Sequence, residues 1–247
     1  MNCKIESGVQ LFSRVTSKSS LETINRKLFP EGLPTNSYIE ITGPDINQKY
    51  QLLLDFLVRC ILPSAYCEEW MDCAVIFINT DQQIGMFDIL NSIDGHLKKK
   101  SVKTSSQIVA KALKNITLVS CFNCDEFELT LCNLERIVNS CDNHDLVLID
   151  NIAPFYWNKR FSSDKLSLYS VALDNFEIVY NVTKSLNLDL IFIRNETVQS
   201  KKKFSSKIDY KIYVDIESGN NFKAIVTNYV KGNEQDVTYK YENILIF

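Results

Sequence analysis

The chain has 247 residues, 45% of them apolar, and a formal charge of −3 at pH 7. This length suits one α/β domain with a large core, and the charge argues against a protein that coats nucleic acid by charge alone, because such domains are strongly basic. The sequence contains no run of 18 apolar residues and no apolar signal core at its start, so it predicts neither a membrane span nor secretion.

Hydrophobic periodicity predicts alternating helices and strands over most of the chain. One or two short amphipathic helices are expected within 9–29, as part of an N-terminal helical segment over 1–37. A buried strand over Tyr38–Thr42 and a helix over Gln48–Leu62 follow, and Ala74–Asn79 reads as a second buried strand. The start of the chain therefore has the order helix, strand, helix, strand.

The same alternation continues to residue 195 and then changes. The predicted elements are, in order, helices over 83–98 and 105–114, a strand over 116–121, a helix over 125–140, a strand over 145–150, a helix over 166–186 and a strand over 188–194. Strands alone are predicted afterwards, over 208–216, 222–230 and 236–246. We therefore expect a single domain with a parallel α/β core over 38–195, a flexible loop over 196–207 and antiparallel strands over 208–247.

The stretch from Gly43 to Tyr50 has the outline of a phosphate-binding loop. Such a loop reads G-x-x-x-x-G-K-[ST] between a buried strand and a helix, and Gly43 and Lys49 stand at the correct spacing. Gln48 replaces the second glycine, and its side chain obstructs the approach of backbone N–H groups to phosphate oxygens. Tyr50 replaces the small hydroxyl residue that should hold magnesium. The pattern predicts the scaffold of an ATPase with a decayed active site.

Further motifs resemble those of one protein family. The degenerate loop over 43–50, Phe77–Asp81 and Leu146–Asp150 are similar in position to the motifs of the RecA-like strand-exchange recombinases. More specific stretches resemble the recombinase paralogues within that family, and these are Glu6–Leu11, Ser19–Leu21, Arg59–Pro63 and Asp150–Trp157. The resemblance extends over about residues 6–195. It implies a RecA-like P-loop ATPase core, with a mostly parallel sheet flanked by helices, antiparallel C-terminal hairpins and no N-terminal helical DNA-binding domain.

The resemblance also implies a function. It indicates a non-catalytic subunit that supports homologous-recombination repair of DNA double-strand breaks in the nucleus. Its expected partner is the D-type recombinase paralogue, and DNA is reached through the resulting complex. Recombinases assemble head-to-tail, so a subunit with an altered nucleotide face can end such a stack. The alternative is a DNA-stimulated ATPase that uses the degenerate P-loop.

The resemblance assigns roles at the nucleotide site. In an active member, Lys49 would contact the β- and γ-phosphates, Asp150 would hold the metal through water, and residue 81 would orient the attacking water. Asp81 is one methylene shorter than the glutamate of the active recombinases, and a misplacement of about 1 Å can cost roughly 100-fold in rate. Asn195 or Glu196 takes the place of the sensor amide that reads the γ-phosphate in the family, or both simply cap the strand and face water. We expect Asp81 and Asp150 to be vestigial and no cofactor to bind. ATP with magnesium is the alternative, at a degenerate site of Gly43, Pro44, Lys49, Tyr50 and Asn195.

Two basic segments are candidates for contact with DNA. The resemblance places the second DNA-binding loop of the family over 199–207, where Lys201, Lys202 and Lys203 precede Phe204 and suit backbone neutralisation with base stacking. Lys159 and Arg160, which follow an aromatic cluster, are candidates for the first loop. In both places the alternative is a solvated loop.

Cysteine and histidine positions give little support to metal or hydrolase chemistry. Cys121 and Cys124 form a CxxC pair, but zinc needs four ligands and no second pair follows at finger spacing, so we predict no metal. His96 and His144 have no serine or cysteine partner in a nucleophile motif. Several of the eight cysteines lie in apolar segments, which favours free thiols in a reducing compartment.

Overall fold

A single mixed sheet organises the structure, a computed structural model that describes residues 21–140, 144–162, 166–196, 203–216 and 221–240. Its strands are β1 (Tyr38–Thr42), β2 (Ala74–Asn79), β3 (Ile116–Ser120), β4 (His144–Ile149), β5 (Asp189–Ile193), β6 (Tyr210–Ile216), β7 (Asn221–Asn228) and β8 (Asn233–Lys240). Their spatial order is β3-β2-β4-β5-β1-β6-β7-β8. The pairs from β3 to β6 are parallel, and β7 and β8 extend the sheet antiparallel.

Helices cover both faces of this sheet. They are α1 (Ile46–Ile61), α2 (Met86–Lys99), α3 (Ser106–Lys114), α4 (Cys124–Cys132), α5 (Leu134–Ser140), α6 (Tyr156–Ser162) and α7 (Leu168–Ser185). Buried side chains of α1, α2 and α3 pack in one apolar cluster, and those of α4, α5 and α7 pack in another on the opposite face. None of the described helices has the length and apolar content that a membrane span requires.

Strands with apolar residues on both faces explain the two clusters. In β1, Ile39 and Ile41 point into the first cluster while Tyr38 points into the second. Successive side chains of a strand alternate between faces, so a strand buried on both sides reads as a continuous apolar run. The predicted mostly parallel sheet, flanked by helices and extended by antiparallel strands, is confirmed.

The structure corrects two local predictions and adds to a third. The helix expected over 125–140 is broken at Asn133, whose side-chain amide donates to the Leu129 carbonyl oxygen at 2.7 Å and competes with the helical pattern. Strand β6 pairs antiparallel with β7, as predicted for the end of the chain, and it also pairs parallel with β1 on its other side, which the sequence did not predict. Of the helices expected within 9–29, the described part is a single 3₁₀ turn at Leu21–Thr23, and residues before 21 lie outside the described ranges.

Candidate functional site

The predicted nucleotide-site residues meet at the carboxyl edge of the parallel strands. Gly43 follows β1, Asp81 follows β2, Asp150 follows β4 and Asn195 follows β5. Lys49 and Tyr50 belong to the first turns of α1, which begins next to Gly43. This edge is where open α/β sheets place their ligands. The residues named from the sequence therefore lie at one edge of the sheet, and their role there stays a prediction.

The loop that would cradle phosphate is short and already carries a negative charge. Helix α1 begins at Ile46, so only Gly43, Pro44 and Asp45 separate it from β1. The Asp45 carboxylate accepts a hydrogen bond from the Gln48 backbone N–H at 2.9 Å and caps the helix. Pro44 has no N–H to offer. The N-terminus of α1, which would attract an anion, is thus satisfied by the chain's own carboxylate.

Gly43 is required by packing, whatever binds nearby. Its φ of +145° lies in a region that side-chain-bearing residues rarely adopt, and a Cβ there would overlap the Val214 carbonyl oxygen and lie 3.0 Å from the Val214 carbonyl carbon. Val214 belongs to β6, which pairs with β1 up to Thr42. The glycine therefore allows β6 to pass close to the end of β1.

Lys49 is turned across the site. Its ammonium donates to the Asn195 side-chain oxygen at 3.1 Å, and the residue is only 2% exposed. Burial lowers the pKa of Lys49, while the nearby carboxylates of Asp45 and Asp81 oppose that shift. Lys49, which was expected to contact phosphate, is therefore hydrogen-bonded to Asn195, which was expected to sense the γ-phosphate.

Tyr50 closes the site from the other side. Its hydroxyl donates to one oxygen of the Asp81 carboxylate, and the Asn151 side-chain amide lies 3.0 and 3.1 Å from the two oxygens of the same group. Burial, reinforced by the hydrogen bond to Asp81, raises the pKa of Tyr50 far above its ordinary value, so the phenol stays protonated. Both oxygens of Asp81 therefore accept hydrogen bonds from the chain itself.

Asp150 ties β4 to the end of β2. One of its oxygens accepts from the Thr80 backbone N–H at 2.8 Å and from the Thr80 hydroxyl at 2.7 Å, and the other accepts from the Asp81 backbone N–H at 3.0 Å. Complete burial raises the pKa of Asp150 to about 6, although these hydrogen bonds act in the opposite direction. Its described contacts are those of a structural carboxylate.

The hydrogen bonds made at this site do not fit a bound nucleoside triphosphate. The Gln48 backbone N–H donates to Asp45, the Lys49 ammonium donates to Asn195, and the Tyr50 hydroxyl donates to Asp81. Each group that would face phosphate or metal in an active member is bonded within the chain. Within the described ranges no group of three or more His, Cys, Asp or Glu side chains could hold a metal ion.

Comparison with known proteins agrees with the arrangement of strands and site. No protein-family model matches the sequence. The chain is 30% identical over 172 residues to the mouse protein named DNA repair protein XRCC2, and the aligned region covers 69% of this chain and 58% of the mouse protein. This chain is a relative of the RecA-like recombinase paralogues.

This relationship implies that the sheet and its helices have the RecA-like fold that the motifs predicted. In the loop after β1, Gln48 and Tyr50 stand where the phosphate-binding pattern has a glycine and a small hydroxyl residue. The chain matches a little more than half the length of its mouse relative.

The first candidate DNA segment lies on α6, a helix that the sequence did not predict. Lys159 pairs with Glu128 of α4 at 2.7 Å. The Arg160 guanidinium lies 5.4 Å from the centroid of Trp157, which is 65% exposed. A basic side chain stacked on an exposed indole is compatible with a nucleic-acid surface. Arg160 is thus the better placed of the two candidates.

The second candidate segment is only partly described. Lys201 and Lys202 lie outside the described residues. The Lys203 ammonium donates to the Ser206 carbonyl oxygen at 3.1 Å and sits 4.7 Å from the centroid of Tyr229. Phe204 is buried against other aromatic rings rather than offered to a base. The described end of this segment therefore anchors it to the core.

The sequence did not predict a buried network of charges at this edge of the sheet. Glu40 on β1 is fully buried and pairs with Arg194, which also donates to Glu196 at 2.7 Å, and Lys211 reaches Glu196 at 3.0 Å. The available signal was a carboxylate inside the apolar run of β1, since a buried charge needs a partner. This network joins β1, β5 and β6 immediately beside Asn195.

The cysteine pair and the histidines have structural surroundings. The Cys121 thiol lies 3.4 Å from the Thr130 hydroxyl, and the Cys124 thiol lies 3.6 Å from the Glu128 carboxylate. His96 lies 3.1 Å from the Asp55 carboxylate between α1 and α2. His144 begins β4.

The Tyr50 hydrogen bond has a measurable effect on stability. We expect Tyr50→Phe to lower the free energy of unfolding by about 1 to 2 kcal/mol, because it removes one of the hydrogen bonds to the half-buried Asp81 carboxylate. Urea unfolding compares it with Tyr66→Phe, whose ring is 52% exposed and for which we expect no change. Equal stabilities for the two variants would contradict the inferred bond.

Proposed function

We propose that this protein is a non-catalytic recombinase-paralogue subunit that supports homologous-recombination repair of DNA double-strand breaks through a paralogue complex. The observation that carries the proposal is the pair of bonds that close the nucleotide site, Lys49 to Asn195 and Tyr50 to Asp81. The similarity to mouse DNA repair protein XRCC2 supports the biological setting.

A bound nucleotide would compete with contacts that the chain already makes. A nucleotide would have to displace the Asp45 carboxylate from the helix N-terminus and break the bond between Lys49 and Asn195. It would also leave buried polar groups to be satisfied again, at a cost of about 1 to 3 kcal/mol for each unpaired group. Magnesium would gain no ligand from Tyr50, whose hydroxyl already donates to Asp81. The closed site supports a protein that works by binding.

The proposed partner is the D-type recombinase paralogue, and the proposed location is the nucleus. RecA-like recombinases assemble head-to-tail, and each subunit there offers its nucleotide edge to a neighbour. A subunit whose nucleotide edge is closed differs from the others and can stand at the end of such an assembly, where growth stops. DNA is then reached through the complex, with the stacked pair of Arg160 and Trp157 as one surface of this chain.

The test is capture of the tagged protein from host nuclei, alongside a Lys49→Met variant. We expect the D-type paralogue at one-to-one stoichiometry with both forms, because Lys49 serves the interior of the site and not the partner. Unfolding curves for both forms establish that the variant is folded. Absence of any recombination protein from the captured material would overturn the proposal.

A nucleotide titration of the captured complex tests the ATPase alternative. We expect no rise in the melting temperature of this chain with Mg-ATP and no phosphate release that depends on Lys49. DNA-stimulated ATP hydrolysis that disappears in Lys49→Met would assign catalysis to this chain and reject the proposal of a non-catalytic subunit.

A further inference from the structure

The positive charge of this chain is unevenly distributed. Between His96 and Cys124 lie six of its 27 Lys and Arg residues and none of its 30 Asp and Glu residues. The six are Lys98, Lys99, Lys100, Lys103, Lys111 and Lys114, and all are exposed. They span the end of α2, the turn after it and α3, and we call this set the lysine surface. An acidic protein thus has one strongly basic region.

The lysine surface lies at the opposite edge of the sheet from the closed nucleotide site. Lys100 pairs with Glu69 at 2.9 Å, and Lys111 pairs with Asp72. Both acids belong to the segment that leads into Ala74, where β2 begins. This is the amino edge of the parallel strands, whereas Asp81 and Asp150 mark the carboxyl edge. The lysine surface is therefore a separate region of the molecule.

Acidic side chains from neighbouring elements compensate only part of this charge. Lys98 pairs with Asp94, and the pairs made by Lys100 and Lys111 use two further acids. Lys103 and Lys114 have no ion pair within the ranges that the structure describes. Exposed hydroxyl residues are interspersed among the six lysines, at Ser101, Thr104 and Ser106. Lysines with interspersed hydroxyl groups suit phosphate oxygens.

We propose that the lysine surface binds the phosphate backbone of duplex DNA without reading its sequence. The inference rests on the proposed function, since it adds a DNA contact to a recombination subunit. The lysines and hydroxyl residues of the surface suit contact with the phosphate backbone of DNA. No aromatic residue lies between Phe87 and Phe122, so the segment that carries the lysines supplies no ring on which unstacked bases could lie.

The same composition argues against a protein partner at this surface. Protein interfaces are enriched in aromatic anchors and depleted in lysine. The large apolar side chains of α3 face the core, since Ile108 is buried there and Val109 and Leu113 pack partly buried against it. An acidic protein remains the competing ligand, and the experiment separates it from DNA.

The experiment measures binding of the captured complex to fluorescent duplexes of two unrelated sequences over a range of salt concentrations. Each phosphate contact contributes about 0.9 to the slope of log affinity against log salt on duplex DNA. We expect Lys103→Ala with Lys114→Ala to reduce that slope by up to about 1.8, equally for both sequences. Binding to a single strand should change less, because stacking surfaces elsewhere contribute to it.

A matched control removes the same charge elsewhere. Lys184→Ala with Lys231→Ala changes two exposed lysines outside the lysine surface, and we expect the duplex slope to stay near that of the parent protein. Equal slopes for the two double variants would overturn the proposal. So would loss of a bound protein from the Lys103 and Lys114 variant with an unchanged slope, since this would assign the surface to an acidic protein.

Failure of this inference can be told from failure of the proposed function. Recovery of the D-type paralogue with the Lys103 and Lys114 variant, together with an unchanged slope, rejects only the lysine surface. If the parent protein captures no paralogue, the proposed function fails, and the same titration on the isolated chain still reports whether these lysines contact DNA.

Discussion

Gly43→Ala is expected to lower the free energy of unfolding by about 3 to 5 kcal/mol, which is among the largest effects of single substitutions. Backbone strain at a φ of +145° contributes part of this cost, since non-glycine residues held in such regions pay about 1 to 3 kcal/mol. The remainder arises because the new Cβ overlaps the Val214 carbonyl oxygen of β6. That oxygen belongs to backbone, so only a shift of β6 against β1 relieves the overlap.

Two other glycines serve as controls in the same urea unfolding experiment. Gly232 also has a positive φ, of +71°, but a Cβ there meets no atom within 4 Å. Gly232→Ala should therefore cost only the backbone strain, about 1 to 2 kcal/mol. At Gly85 the new Cβ meets one flexible oxygen of Asp88 at 3.3 Å, and we expect a small change. A cost for Gly43→Ala no greater than that for Gly232→Ala would contradict the close approach of β6.

Arg194→Leu is the second substitution with a large expected effect. Arg194 is the partner of the fully buried Glu40, and its guanidinium lies 4.5 Å from the centroid of Phe204. Its removal leaves a buried carboxylate with one cationic neighbour fewer. Breaking a buried ion pair in this way costs about 3 to 5 kcal/mol. Denaturant unfolding at neutral pH measures the loss.

The decrease in the free energy of unfolding caused by Arg194→Leu should also depend on pH in a defined direction. Burial raises the pKa of Glu40, while Arg194 and then Lys211 lower it. Without Arg194 the pKa rises further, so the folded variant keeps a proton that the unfolded chain releases at ordinary glutamate pH. The folded state then binds more protons than the unfolded state, and stability falls as pH increases. The variant should therefore be closest to the parent protein at acidic pH.

A double variant separates the ion pair from general damage to the core. Glu40→Leu with Arg194→Leu removes both charges, and a buried pair replaced by apolar side chains often costs little. We expect the double variant to recover most of the stability lost in Arg194→Leu, and to lose the pH dependence. A double variant less stable than either single variant would show that packing around these residues, and not their charge, sets the cost.

The sequence predicted the elements whose signal is local. Strands Tyr38–Thr42 and Ala74–Asn79 have the predicted bounds, because each is a short apolar run with polar residues at its end. The ends of four such strands also located Gly43, Asp81, Asp150 and Asn195 at one edge. Parallel topology brings the carboxyl ends of strands together, so the position of the site followed from the order of elements.

What the sequence did not predict depends on partners far along the chain. Lys49 bonds to Asn195 and Glu40 pairs with Arg194, and neither spacing corresponds to a helical or strand period. The parallel course of β6 is likewise decided by its pairing with β1. The break at Asn133 has a local cause, but an asparagine within an apolar pattern is also compatible with an uninterrupted helix.

The central place of β1 has a consequence for synthesis on the ribosome. Its neighbours in the sheet are β5 and β6, so Ile39 and Ile41 have no strand to pair with until roughly 150 further residues have been made. At about 5 to 20 residues per second, this interval lasts on the order of 10 to 30 seconds. The nascent chain thus carries an apolar, unpaired strand for most of its translation, and β1 is paired on both sides only after β6 has emerged.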